Sequence, residues 1–324
     1  MRILREANNL KKVVVTGGAG FIGSHLVRHL IGLGNQVHVI DDLSTGHIEH
    51  VHSEAKLHVL DIRSLDAADL IATIRPSIVV HLAAQADVQR SVLDPAADLD
   101  INVNGTLNIL KACREAKVGK LVFTSTSGVY GENSRELLVE SDPAKPISFY
   151  GLSKWAAEQY IALFDRLFDL PYTILRLANV YGPGQTPKGE GGVIAIFMDK
   201  LKKGLPLTVN GDGEQTRDFI YVEDIVSAII AAADCEYRGI AHASTARRTS
   251  LNEMIGLLGI LHSQPIQVTH RPDKPGDIKH SCLSNSKSAR LLQWQPSHSL
   301  WQGLEKTYLS AMAPHPNPPG TGAS

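Results

Sequence analysis

This 324-residue sequence predicts an α/β fold, a parallel sheet covered by helices on both faces, and three observations carry the prediction. Short β-branched runs recur through the first half: VVVT (13–16), QVHVID (36–41), KLHVLDI (56–62), SIVVHLAA (77–84) and KLVFTST (120–126). Most are continuously apolar rather than alternating, the pattern of strands buried on both faces. Longer helical patterns separate them, so each strand is expected to rejoin the sheet parallel to the last.

Taken in order, VVVT runs into TGGAGFIGSHLV (16–27), and IGSHLVRHLIGLG (22–34) keeps apolar residues at helical spacing until Gly32 and Gly34 stop it. That is one βαβ unit, and the pattern repeats through the strand at 120–126. It loosens after about Leu175. Gly and Pro cluster in NVYGPGQTPKGEGG (179–192), a helical stretch VIAIFMDKLKKG (193–204) follows, then a turn-rich NGDGEQTRDF (210–219) and an apolar helix from Glu223 to Ala233. Residues 1–175 are therefore expected to form a doubly wound domain to which some later segments return. Residues 176–312 are expected to form a smaller, substrate-binding region. The tail at 313–324, APHPNPPGTGAS, is expected to be disordered. No internal repeat is found.

Composition excludes several functions. With 32 basic and 33 acidic residues the net charge is −1, so no global field recruits nucleic acid or an anionic membrane. The three cysteines (Cys113, Cys235, Cys282) lie far apart with no C-x-x-C pair, against a disulfide framework and a metal site. No apolar core follows the basic start MRILREANNLKK, and no segment approaches the roughly 18 apolar residues of a membrane span. A cytoplasmic protein is expected.

Gly17, Gly20 and Gly23 form G-x-x-G-x-x-G directly after a strand and directly before a helix. Such a loop can be an ordinary glycine-rich connection or a cradle for a dinucleotide pyrophosphate, and its position between strand and helix favours the cradle. This is the signature of a Rossmann sheet. Asp41 ends the second strand about 20 residues on, where a carboxylate accepts both ribose hydroxyls and repels a 2′-phosphate, favouring NAD over NADP. Asp42 is either a second ligand or a solvated turn residue. Asp61 and Ile62 end the third run at the height of an adenine ring, although strand-end aspartates are common.

Tyr150 and Lys154 stand four apart in SFYGLSKWAAEQY (148–160), on one face of an expected helix. A neighbouring ammonium and a cationic nicotinamide stabilise a phenolate, making the tyrosine a base poised nearer neutrality. Tyr-x-x-x-Lys is common by chance, and its weight comes from the upstream loop. The strand at 120–126 ends among Thr124, Ser125, Thr126 and Ser127. The ligand crevice lies at the carboxyl ends of parallel strands. Alternation puts Thr124 and Thr126 on one side and Ser125 on the other, without saying which side is the crevice.

Together TGGAGFIG, HLAAQ, STSGVYG, YGLSK, RLANVYGPG and GDGEQTRDFIYVED resemble the extended short-chain dehydrogenase/reductase family, in its nucleotide-sugar branch around UDP-glucose 4-epimerase. The resemblance runs from about Val13 to Tyr308. It implies Thr126 as the hydroxyl beside the sugar, Tyr150 as base and Lys154 as its electrostatic partner and ribose anchor. Phe21, Ile22, Leu82, Ala83, Ala84 and Gln85 are implied to line the cofactor. Asn179, Val193, Arg217, Lys274, Asp277 and Ser281 are implied to line the sugar nucleotide, with Arg217 on the diphosphate. The implied reaction oxidises C4 of a UDP-sugar to a transient ketone and reduces it on the other face, with NAD tightly bound and regenerated.

Dehydratases and decarboxylases of this branch place a carboxylate just after the threonine, whereas Ser127 and Gly128 follow Thr126 here, so simple epimerisation is expected. Two departures bear on the nucleotide: Lys274, with Arg271 three residues earlier, stands where an arginine is usual, and Asn210 stands where an aromatic is common. Ser281 occupies the place of a bulky tyrosine in narrow family members, which implies room for an N-acetyl group. The resemblance also implies a homodimer through helices near 98–117 and 150–168. Alternatives at this point are a UDP-glucuronate 4-epimerase, a dehydratase or reductase on a nucleotide sugar, and a non-catalytic NAD-binding regulator.

Overall fold

The computed structural model describes residues 11–187, 191–272 and 278–313. Its strands are β1 (Lys12–Thr16), β2 (Gln36–Asp41), β3 (Lys56–Val59), β4 (Ile78–His81), β5 (Lys120–Thr126), β6 (Tyr172–Leu177), β7 (Asn179–Tyr181), β8 (Leu207–Asn210), β9 (Thr216–Arg217), β10 (Phe219–Tyr221), β11 (Gly239–Ala243), β12 (Thr249–Ser250) and β13 (Val268–Arg271). Its helices are α1 (Phe21–Gly32), α2 (Leu65–Ile74), α3 (Val88–Leu93), α4 (Pro95–Leu99), α5 (Gly105–Glu115), α6 (Phe149–Phe168), α7 (Val193–Lys202), α8 (Val222–Asp234), α9 (Leu251–Leu261), α10 (Ser286–Leu291) and α11 (Leu300–Met312).

Seven strands form one sheet in the order β11-β6-β5-β4-β1-β2-β3, every pair parallel. The order reverses beside β1, so the carboxyl ends of β1 and β4 flank a crevice where a ligand can enter. Alternation along β1 explains the two covered faces. Val13 and Val15 join a core with α1 and α8, while Val14 joins one with α2, α5 and α6. A third core, around Ile194, Phe197, Met198, Val209, Met254 and Leu304, holds the C-terminal segments together.

Two strands end earlier than their apolar runs. The third run, expected over 56–62, pairs only to Val59, and the fourth, expected over 77–84, only to His81. Past these points the chain turns across the sheet edge: Leu82 N donates to Thr16 O (3.1 Å) and Ala83 N to Thr16 Oγ1 (3.2 Å). Leu60–Ile62 and Leu82–Gln85 are thereby freed to wall the crevice. From beyond residue 175, β11 returns to the sheet edge beside β6.

Candidate active site

Gly17 leaves β1 in the left-handed region (φ +71°), and its N–H donates to Ile40 O at 2.8 Å. An added Cβ there would meet Ala83 N at 2.7 Å, so only glycine lets the turn pass under the β4 loop. Gly20 caps α1 without a side-chain hydrogen bond, leaving first-turn N–H groups at the positive end of the helix for an anion.

Asp41 has a second duty beyond the ribose contact its position suggested. Its Oδ2 accepts from Ala19 N and its Oδ1 from Leu43 N, both at 2.9 Å, so it also fastens the glycine loop. Burial pushes its carboxyl up, and the two backbone donors oppose that. Each oxygen keeps lone-pair capacity for a ribose hydroxyl.

A cleft of about 320 Å³ opens above this turn. Gly17, Gly20, Phe21, Ile22 and Gly23 line one wall; Asp41, Asp42, Asp61, Ile62, Leu82, Ala83, Ala84 and Gln85 line the others. The Asp42 carboxylate accepts from Ser44 N (2.9 Å) in its own turn. Arg63 holds Asp61 through Nε (3.0 Å) and reaches Asp100 through Nη1 (2.6 Å), with the guanidinium holding the Asp61 carboxyl below its usual range. The glycine cradle, the uncapped helix and Asp41 together fit a dinucleotide with unmodified ribose.

A second cleft, about 240 Å³, shares Phe21, Ile22 and Ala86 with the first and is lined by Thr126, Tyr150, Asn179 and Val193. The local sequence explains the meeting. Ser148 accepts from Gly151 N (3.0 Å) and starts α6 just before Tyr150. A Cβ on Gly151 would lie 2.8 Å from Gly128 O, so glycine lets the start of α6 pack onto the turn after β5. Thr126 Oγ1 accepts from Gly128 N (3.0 Å) in that turn. One turn after Tyr150, Lys154 is buried, its Nζ 4.1 Å from the Phe123 ring centroid.

Not every expected residue gathers here. Arg217 and Ser281 lie together but are not among the residues lining the second cleft. Arg217 Nη1 donates to Thr216 O (2.9 Å), and Ser281 N donates to the same oxygen (3.2 Å). Phe219, two residues past Arg217, does line the cleft. Lys274 and Asp277 lie outside the described residues, as do the tail positions beyond 313. Arg271 and Asn210 pair in register on β13 and β8.

Sequence reasoning missed several wall residues. Alternation left open which hydroxyl of β5 meets the crevice: Thr124 lines the first cleft and Ser125 and Thr126 the second, while the Ser125 hydroxyl donates to Glu158 Oε1 on α6, on the Phe123 side of the strand. Gln185 also lines the second cleft, its Nε2 donating to Val180 O (3.1 Å). His81 supports the first: its Nδ1 meets Thr16 Oγ1 at 2.6 Å and its Nε2 meets Thr106 Oγ1 at 3.0 Å. Burial, and then the Lys154 charge, lower its pKa to about 3, so it is neutral. Among the described residues no three His, Cys, Asp or Glu side chains gather as a metal site requires, and no helix is long and apolar enough to cross a membrane.

A family model for the NAD dependent epimerase/dehydratase family matches residues 13–241, and the chain belongs to that family. It is 38% identical over 303 residues to a UDP-glucose 4-epimerase of Mycolicibacterium smegmatis, covering 91% of this chain and 97% of that one. Among solved structures it is similar to the Thermotoga maritima UDP-glucose 4-epimerase with UDP-glucose (39% identity, TM-score 0.89, 92% and 98% of the two chains). It is also similar to a UDP-N-acetylglucosamine 4-epimerase of Methanobrevibacter ruminantium (34% identity, TM-score 0.89, 93% and 97%). The protein is thus an enzyme of this family, and NAD is its cofactor.

Proposed function

We propose that the protein inverts C4 of a UDP-hexose, interconverting UDP-glucose and UDP-galactose. The observation that carries this reading is the pairing of Thr126 and Tyr150 in one cleft that abuts, through Phe21 and Ile22, the cleft of the glycine loop. NAD, held by the glycine loop, Asp41 and the Leu82–Gln85 wall, supplies a reversible hydride acceptor. The phenol of Tyr150 takes the proton of the sugar 4-OH and later returns it. Lys154 stabilises the phenolate from one helical turn away, and the Thr126 hydroxyl holds the reacting oxygen. Asn179 and Val193 wall the sugar, and Arg217 takes the diphosphate, a role that suits a guanidinium.

Two features favour a neutral hexose and simple epimerisation over the alternatives. Among the described residues lining the sugar cleft none is charged, so no cation there pairs with a glucuronate carboxylate and no carboxylate serves elimination at C5 or C6. A second reading, activity on N-acetylated hexoses as well, rests on Ser281, a small residue next to Arg217 where the resemblance implies a bulky tyrosine in narrow family members. On the main reading, residues 1–175 with β11 hold the cofactor and the remaining segments hold the sugar nucleotide. The enzyme acts as a homodimer through the exposed apolar stripe of Phe149, Leu152, Tyr160, Leu163 and Leu167 on α6.

Tyr150→Phe tests the assignment. It should leave NAD bound and the fold intact while removing nearly all epimerisation of UDP-glucose. Turnover at the parent rate would refute Tyr150 as base.

A further inference from the structure

Behind the two clefts lies a group of buried charges that the reaction as described does not use. Glu158, fully buried on α6, receives Arg176 of β6 in a fork: Nε to Oε1 at 3.0 Å and Nη2 to Oε2 at 2.6 Å. The same carboxylate accepts from Ser125 Oγ on β5 at 2.5 Å. Arg176 also donates through Nη1 to Tyr130 Oη (2.7 Å), and Tyr130 Oη lies 2.5 Å from His242 Nε2. His242 Nδ1 faces Ser284 O at 2.9 Å, which fixes that nitrogen as the N–H and makes Nε2 the acceptor for the Tyr130 proton.

The placement is specific to the reacting groups. Tyr150, Lys154 and Glu158 stand at i, i+4 and i+8, so phenol, ammonium and carboxylate follow one another along one face of α6. Across from them β5 presents Phe123 to Lys154 and Ser125 to Glu158, one residue before Thr126. Glu158 is therefore the tie between the helix that carries the proposed base and the strand that ends in the proposed substrate hydroxyl.

Charge completes the argument. Burial lowers His242 and His81 to about 3 and raises Tyr130 to about 12, so these three neighbours are uncharged near neutrality. Glu140, whose Oε1 accepts from His242 N (3.0 Å), stands at the far end of the group. Among the described residues Lys154, Glu158 and Arg176 remain as buried charges along this face of α6, with Asp98 of α4 buried beside them, its Oδ1 accepting from Gln85 Nε2 (2.9 Å) and from Asn102 Nδ2 (3.3 Å), an amide that also donates to Ser153. A lone carboxylate one turn from Lys154 would neutralise the ammonium or oppose a phenolate. The guanidinium fork takes up that carboxylate instead.

We propose that the Glu158–Arg176 pair is a positioning device for the reaction centre: Glu158 fastens the helix of Tyr150 and Lys154 to the strand of Thr126, and Arg176 holds the Glu158 charge off Lys154. The proposal rests on the reading of Tyr150 as base. Neither residue touches substrate; both act through α6 and β5.

The test is the pH profile of kcat/KM for UDP-glucose, whose acid limb follows the free enzyme's base. Arg176→Met leaves a bare carboxylate, so its acid limb should move to higher pH by about one unit, with kcat down roughly tenfold. Glu158→Gln leaves a bare guanidinium, so its limb should move to lower pH. The double variant Glu158→Gln/Arg176→Met, with both charges gone, should return near the parent limb. Opposite shifts cannot come from loosened packing, which lowers kcat and leaves the limb in place. Limbs that coincide with the parent's, or that move in the same direction, would overturn the proposal. Where Arg176→Met does not fold, the direction of the Glu158→Gln limb decides alone. Tyr150→Phe is measured alongside: retained turnover there refutes the base itself, whereas its loss with unmoved limbs in the other variants refutes only the positioning device.

Discussion

Gly23→Ala tests the phosphate cradle with a single methyl group. A Cβ built at Gly23 lies 2.1 Å from Gly17 O and 2.7 Å from Gly18 Cα, against 3.0 Å as the nearest approach real Cβ atoms show. Both neighbours are backbone, so no side chain can swing aside, and α1 must retreat from the loop by roughly 1 Å, with overpacking that costs about 1–3 kcal/mol. That retreat draws the first-turn N–H groups away from the pyrophosphate. Losing one hydrogen bond to a charged group costs about 1.5–3 kcal/mol, or roughly 10- to 150-fold in NAD affinity. Gly34→Ala at the far end of the same helix is the control: its φ is +82° but nothing lies within 4 Å of an added Cβ. It should lower stability by about 1–2 kcal/mol and leave NAD affinity unchanged. The assay is NAD titration by intrinsic fluorescence, with thermal melts of both variants. Parent-like NAD affinity in folded Gly23→Ala would refute the cradle.

Three further outcomes follow from the same geometry. Cofactor extracted from fresh protein should be NAD, because the Asp41 carboxylate lining the first cleft would repel a 2′-phosphate held there; mainly NADP by mass spectrometry would contradict it. Ser281→Tyr should selectively abolish activity on UDP-N-acetylglucosamine while sparing UDP-glucose; equal losses on both, or no parent activity on the acetylated sugar, would remove the second reading. His81 and His242 are held neutral with pKa lowered to about 3, whereas unfolded histidine titrates near 6.5. The unfolded chain therefore binds more protons between those values, and stability, full above pH 6.5, should fall by about 1.4 kcal/mol per pH unit per histidine on acidification. Urea unfolding of His242→Asn between pH 7 and pH 5 should show a shallower loss than the parent.

Much of the sheet was legible because buried parallel strands need unbroken β-branched runs, and VVVT, QVHVID and KLVFTST supply them. The glycine loop, Asp41 and Tyr150 were legible because their spacing is tied to local structure: a turn, a strand end, one helical face. Strand ends were not. Leu60 and Ile62, and Leu82–Ala84, continue the apolar runs past Val59 and His81, so periodicity extends the strands, whereas the chain beyond His81 is turned aside by its contacts with Thr16 and the glycine loop. Alternation placed Ser125 opposite Thr126, and the Ser125 hydroxyl does turn to Glu158 on α6; which face of β5 meets the clefts was not legible, because it depends on where α6 and the segments beyond 175 pack. Glu158, Arg176 and His242 carry no signal in sequence at all. A buried charge is recognisable only once its partner, here 18 residues away for Glu158 and Arg176, is brought beside it by β6.

The central claim, epimerisation without net redox change, is tested most directly by incubating purified protein with UDP-glucose and no added reductant, separating the products chromatographically while following NADH absorbance. The account predicts that UDP-galactose appears and approaches equilibrium from either sugar, with no accumulation of NADH. Net NADH formation, release of a keto or dehydrated sugar, or no conversion of UDP-glucose by protein that carries NAD would contradict it.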